Sequence, residues 1–226
     1  MANLHPNARP EFAEPLMITS RCSAGCSGCP FGSQEMPQRW MPVGSILERM
    51  RNSRAALVVV TGGEPLEHPE FDQLTEELLR TDEGLTTPFR LATGGHVPLA
   101  GRVEGWTHLR AFEGISLGTD VLNQGSHKKD FPFSENHPAR EKISIWKENV
   151  RWLNEENIPY SLTLTLFPNH DETVVSTLLG QVASCGAHPQ FIYVRLPDEK
   201  NDSARTLETI NQFYPHVTVV FDAISF

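Results

Sequence analysis

Short apolar runs alternate with stretches of helical period along this chain, and that alternation leaves few folds open. The run at 55–60 (AALVVV) shows it best. An unbroken apolar stretch ending in three valines fits a strand covered on both faces, as in a parallel sheet. TGGEP at 61–65 then breaks it. Further strands are expected at 15–20, 89–93, 111–117, 160–167 and 191–196, with a terminal seventh at 217–221. Between them, a helix is expected at 45–51 with Ser45 as its N-cap. Others follow the stripes Phe71, Leu74, Leu78; Ile143, Trp146, Val150, Leu153; Val175, Leu178, Val182; and Leu207, Ile210, Phe213, the last opened by Asp202 or Ser203. A short helix is expected at 98–103, and a long polar stretch at 119–140.

Strand–helix units repeated about six times imply a parallel sheet with helices packed outside. The expected fold class is α/β, a partial (βα)6 TIM-like barrel with parallel strands, forming one domain over 1–226. Periodicity alone does not separate a partial barrel from a doubly wound sheet. The fifth strand adds a hint. Ser161, Thr163 and Thr165 share one face and Leu162, Leu164 and Leu166 the other. A small closed barrel would be apolar inside, so hydroxyls there imply an open, ligand-filled lumen or else an edge strand facing solvent.

Composition narrows the function. A formal net charge of −9 argues against a nucleic-acid substrate, since such proteins carry an excess of Lys and Arg. His127, Lys128 and Lys129 form the one short basic cluster. No apolar run approaches membrane-spanning length, and 1–10 lacks the features of a secretory signal, so a cytoplasmic protein without membrane contact is expected. Three of the four cysteines fall within eight residues, Cys22-x3-Cys26-x2-Cys29. In a reducing compartment such clustering reads as metal binding and not as a disulfide framework.

Three thiolates from one loop leave one iron of a [4Fe–4S] cube without a protein ligand, and an open position is what a catalytic centre needs. The residues themselves also admit a zinc site, or an electron-transfer cluster completed by Cys185. The stretch RCSAGCSGCP (21–30) together with TGGEP (61–65) resembles the radical S-adenosylmethionine (radical SAM) superfamily. The similarity extends more faintly through ATGG (92–95), GISLGTD (114–120) and LTLTLFPN (162–169). It implies an enzyme of oxidoreductase or lyase type with two cofactors, a [4Fe–4S] cluster and S-adenosylmethionine (SAM). The open iron would bind SAM's methionine moiety, an external one-electron donor such as flavodoxin or ferredoxin would reduce the cluster, and the 5′-deoxyadenosyl radical released would abstract hydrogen from an organic substrate.

By that resemblance Cys22, Cys26 and Cys29 are the metal ligands. Gly62 and Gly63 permit close backbone approach to a ligand, and Glu64 accepts from SAM's ammonium. Thr93, Ser116 and Thr163 stand at further SAM-binding positions, and Arg195 suits a carboxylate of SAM or substrate. Many family members carry an aromatic residue just before the third cysteine. Here it is Gly28, which leaves only backbone contacts at that point, with Phe31 nearby. Asp120, Asn169, His170, Tyr193, His68 and His96 follow or line strand ends. Cys185 falls at the N-terminal end of the sixth strand, opposite the active rim, and reads as structural. The expected substrate is a peptide. The alternatives are a small metabolite, a modified nucleobase, a partner enzyme activated as a glycyl radical, or no substrate at all in an iron–sulfur or zinc-binding protein. The 119–140 stretch is a candidate substrate lid.

Overall fold

The computed structural model describes residues 13–26, 29, 31, 37–123, 138–166, 172–196 and 203–223. Among these residues seven strands form one parallel sheet: β1 (Ala13–Thr19), β2 (Leu57–Gly62), β3 (Phe89–Thr93), β4 (Phe112–Gly118), β5 (Tyr160–Thr165), β6 (Phe191–Leu196) and β7 (Thr218–Ala223). Their order in the sheet is their order in the chain. A doubly wound sheet reverses its order at a switch point; this one has no reversal. The arrangement fits a partial TIM-like barrel, and it includes the terminal seventh strand that the sequence suggests. Right-handed crossovers taken in one direction set every connecting helix on the same face of the sheet. Those helices are α1 (Val43–Asn52), α2 (Phe71–Arg80), α3 (Asp120–Asn123), α4 (Pro138–Glu155), α5 (Glu172–Ser184) and α6 (Ser203–Phe213).

The layer between helices and sheet is the core. Alternate strand residues Leu16, Ile18, Val58, Val60, Phe89, Leu91, Ile115 and Leu117 are buried there against Phe71, Leu74 and Leu78 of α2 and Trp146, Val150 and Leu153 of α4. Each such side chain stabilises the fold by roughly 1.5–3 kcal/mol. Phe71 stacks on Trp106 with ring centroids 5.3 Å apart, and the indole donates to Thr75 Oγ1 at 2.9 Å.

The opposite face is polar. The register aligns Ala92 with Ser116, Ser116 with Ser161, Gly118 with Thr163, Thr163 with Tyr193 and Thr165 with Arg195. Arg90 of β3 donates to the hydroxyl of Tyr193 on β6 at 3.3 Å. That contact spans β4 and β5, so the sheet curls around this face. Two bulges adjust the phase. One extra residue enters β4 between Phe112 and Ile115, where Gly114 has φ +121°; another enters β1 between Met17 and Thr19. The outer edge of β1 is covered near its end: Ser20 N donates to Arg39 O and Met41 N to Ile18 O.

Several local expectations need correction. Ser45 is not an N-cap. Pro42 caps α1, with φ −57° and its carbonyl accepting from Ser45 N and Ile46 N, so the helix starts at Val43. The segment 98–103 makes one turn on the carbonyl of Leu99, with Gly101 at φ +75°, and a 3-10 helix follows at Glu104–His108. The polar stretch after β4 is partly helical: α3 opens it and α4 begins at Pro138. Its middle, 124–137, lies outside the described residues, as do Gly28, Asn169 and His170.

Candidate active site

All seven strands end on one rim, and the two motifs meet there. The loop that follows β1 and the turn that follows β2 are stitched by Gly63 N donating to Thr19 O at 2.8 Å and Glu64 N donating to Arg21 O at 2.7 Å. The glycines are what this approach requires. A Cβ at Gly62 would lie 2.3 Å from Thr19 O, and one at Gly63 2.3 Å from Arg21 O. Their first duty is thus to let chain pack on chain, which the sequence reading assigned to approach by a ligand.

Glu64 is fully buried. Its carboxylate accepts from Leu66 N at 3.2 Å, from Thr93 Oγ1 at 2.8 Å and from Gly94 N at 3.0 Å. His96 Nδ1 stands 3.5 Å away with no hydrogen-bond partner of its own. Burial raises the Glu64 pKa, against the opposing pull of His96, Thr93 and the two backbone amides. Thr93 is fully used: its hydroxyl donates to Glu64 and accepts from Gly95 N at 3.0 Å. It therefore holds Glu64 and the β3 turn in place.

Three residues further on, Glu67 performs a parallel task that its sequence position does not advertise. One oxygen, Oε1, accepts from Ser23 N at 3.0 Å and Ser23 Oγ at 2.5 Å, and meets His96 Nε2 at 3.1 Å. Burial pushes this carboxyl up, but the bonds from His96 and Ser23 outweigh it and hold the pKa at about 2.

On the far side of the rim, Ser116 Oγ and Ser161 Oγ share a hydrogen bond of 3.0 Å, and Thr163 O accepts from both Thr119 N and Thr119 Oγ1. Asp120 follows β4. Its Oδ2 lies 3.7 Å from where a Gly118 Cβ would stand, on the inward side of the strand. Burial raises its pKa, opposed by the Thr165 hydroxyl and the charge of Arg195. Oδ1 of Asp120 is buried without a partner. Arg195 itself is exposed. Thr93, Ser116, Thr163 and Arg195 thus come to one polar face or its rim, together with Glu64. His68 does not join them: its Nε2 meets Met41 O at 2.8 Å and its Nδ1 accepts from Glu70 N, so it is a structural tie. Cys185 sits between α5 and β6 with its Sγ 3.1 Å from Gln181 O, away from this rim.

The Radical SAM superfamily model matches residues 16–179, more than half of the chain. The chain belongs to the radical SAM superfamily. No curated protein matches it. Among solved structures it is similar to a glucosidase from Croceicoccus marinus, at 12% identity and a TM-score of 0.45, over 95% of this chain and 54% of that one. This chain thus spans about half the length of the glucosidase, and so distant a likeness is no guide to activity. Radical SAM membership implies catalysis by SAM-dependent radical chemistry, with the iron–sulfur cluster typical of the superfamily; it names no substrate. Among the described residues no helix is long and apolar enough to cross a membrane.

The residues after β1 fit the donor set of a radical SAM cluster. None of the four cysteines is in a disulfide, and all are partly exposed. Cys29 N donates to Cys26 O at 3.2 Å, so these two share one turn. Gly25, at φ +66°, has nothing within 4 Å of its Cβ position, which leaves room beside the loop. Burial, with Glu64, Glu67 and Cys26 adding to it, pushes the Cys22 thiol up to about 12. A cation beside such a thiol, as a bound metal would be, favours its thiolate form. Among the described residues no three His, Cys, Asp or Glu side chains stand close enough to enclose a single metal ion.

The helix α4 itself is expected from its apolar stripe, but not the ties it makes to the strand ends. Lys142 donates to Ser23 O at 2.6 Å and Ala24 O at 2.8 Å. Trp146 Nε1 donates to Gly118 O at 2.8 Å. Asn149 accepts from Leu99 N and donates to Gly95 O and Val97 O, each at 2.9 Å. The steps of four and three residues were legible, but Trp146 reads simply as part of an apolar stripe, and Lys142 and Asn149 as ordinary helix polarity.

Proposed function

We propose that this chain is a radical SAM enzyme that carries a [4Fe–4S] cluster on Cys22, Cys26 and Cys29, cleaves SAM reductively, and takes a hydrogen atom from an organic substrate, a peptide being favoured. The observation that carries the reading is the seam between the two motif loops, Gly63 N to Thr19 O and Glu64 N to Arg21 O. It joins residues some forty positions apart at the strand ends, where α/β proteins bind ligands. When bound and reduced by an external donor such as flavodoxin or ferredoxin, the cluster and SAM supply the 5′-deoxyadenosyl radical.

The chain's own residues bind and orient. Glu64 offers a buried carboxylate to the ammonium of SAM, and Thr93 keeps it from turning. The unpartnered Oδ1 of Asp120 is an acceptor for a ligand hydroxyl or ammonium. Ser116 and Thr163 line the inner face between these carboxylates, and Arg195 at the exposed edge takes a carboxylate. Gly62 and Gly63, packed on the loop after β1, offer SAM backbone contacts only, and Gly28 is assigned the same role from its place in the sequence beside Cys29. A peptide suits a sheet whose order ends in two strands, β1 and β7, that are not neighbours in it.

The test is anaerobic reconstitution with iron and sulfide, followed by reduction in the presence of SAM. The expected result is a brown protein that forms 5′-deoxyadenosine, and a Cys26→Ala variant that loses both the product and most of the iron. A colourless, zinc-loaded chain, or iron loading and turnover in the variant equal to the wild type, would end the reading.

A further inference from the structure

Lys142, Trp146 and Asn149 occupy positions i, i+4 and i+7 of α4, one face of that helix. Each spends its donors on backbone carbonyls of a different strand end. Lys142 takes Ser23 O and Ala24 O after β1, Trp146 takes Gly118 O at the end of β4, and Asn149 takes Gly95 O and Val97 O after β3. Asn149 and Trp146 are buried, as structural anchors are. Lys142 is half-buried and grips two of the three residues between the first and second cysteines. Across the same loop Glu67 grips the amide and hydroxyl of Ser23. Residue 23 is thus held by an ammonium on its carbonyl side and by a carboxylate on its amide side. Both are charge-assisted bonds, about twice as strong as neutral ones.

We infer that Lys142 is a positioning residue for the metal centre: anchored on α4, it holds the Cys22–Cys26 loop in its ligating shape before any cluster arrives. The inference rests on the cofactor reading above for its purpose, though the clamp belongs to the iron-free chain. A loop left to find its shape only on binding must give up its conformational freedom at that step, which lowers affinity. Groups that orient metal ligands typically change metal affinity or activity by 10–100-fold when removed. Arginine retains a cationic donor at this position, though its planar fork differs from an ammonium, so Lys142→Arg should recover part of what Lys142→Met loses. Lys147, exposed on the same helix, serves as the control site.

Two measurements on the full chain decide the matter. In the iron-free protein, amide exchange over 20–26 should quicken about tenfold or more in Lys142→Met, recover in part in Lys142→Arg and stay as wild type in Lys147→Met. In the reconstituted protein, a ferrous chelator should strip iron from Lys142→Met about tenfold faster than from wild type. Wild-type exchange over 20–26 in Lys142→Met overturns the proposal, as does wild-type iron retention by that variant. A wild-type chain that takes up no iron–sulfur cluster would instead sink the cofactor reading, and the iron-free exchange would still judge the clamp.

Discussion

A carboxylate with no exposed surface needs every donor it can find, and Glu64 has three: Leu66 N, the Thr93 hydroxyl and Gly94 N. Truncating it to alanine would strand all three, so Glu64→Ala confuses folding with binding. Glu64→Gln is the cleaner probe, since it keeps shape and one acceptor while deleting the charge. It should weaken SAM binding about tenfold or more with iron content unchanged, as read by calorimetry on the reconstituted protein. SAM affinity equal to wild type would remove Glu64 from the site. Glu67 makes a separate prediction. Its pKa is depressed from 4.5 to about 2 in the folded chain, so its contribution to stability is full above about 4.5 and is lost as pH falls towards about 2. Acid unfolding followed by circular dichroism should show that loss in the wild type and a flatter profile over the same window in Glu67→Gln. The cysteines and Glu64 were noticeable in sequence because their spacing suggests chemistry. Glu67 was not, because its partner Ser23 is distant in sequence and a glutamate in a turn looks like solvated surface.

Elements repeat the lesson at longer range. Strand runs and helix stripes were readable because burial imposes periods of two and about 3.6 on the chain, and β3 and β6 have the expected bounds. The bulges were not readable, since one extra residue leaves the apolar pattern almost intact. Yet the bulge at Gly114 sets which residues of β4 face inward: after it, Ser116 pairs with Ala92 and Ser161 on the polar face. A Cβ at Gly114 would lie 2.2 Å from Pro159 O, a backbone atom of the neighbouring connection that cannot swing aside. Gly114→Ala should therefore destabilise the chain by about 1–3 kcal/mol, and more if the φ of +121° must also be relieved. Gly44, in the first turn of α1 with nothing within 4 Å, gives the contrast: Gly44→Ala should be neutral or stabilise by up to about 1 kcal/mol. Denaturant melts of the two variants check both signs. The misread start of α1 has a similar cause, because Ser45 looks like a cap in sequence while Pro42 three residues earlier already supplies the carbonyl.

At the scale of the whole molecule, what sequence left open was the order of the strands, which depends on crossovers that no local pattern records. Sequential order decides it, and the Arg90–Tyr193 contact across the inner face shows how far the sheet bends. The ends of β1, β2 and β3 are drawn together on one side of the rim by a single oxygen atom. Glu67 Oε1, just beyond β2, receives two donors from Ser23 after β1 and faces His96 after β3. Such a joint works beside the seams that Gly63 and Glu64 make with the loop after β1 and that Glu64 makes with the β3 turn. If any one of the three segments drifts, the other two lose a shared partner. That corner of the protein must assemble, and come apart, as a single event.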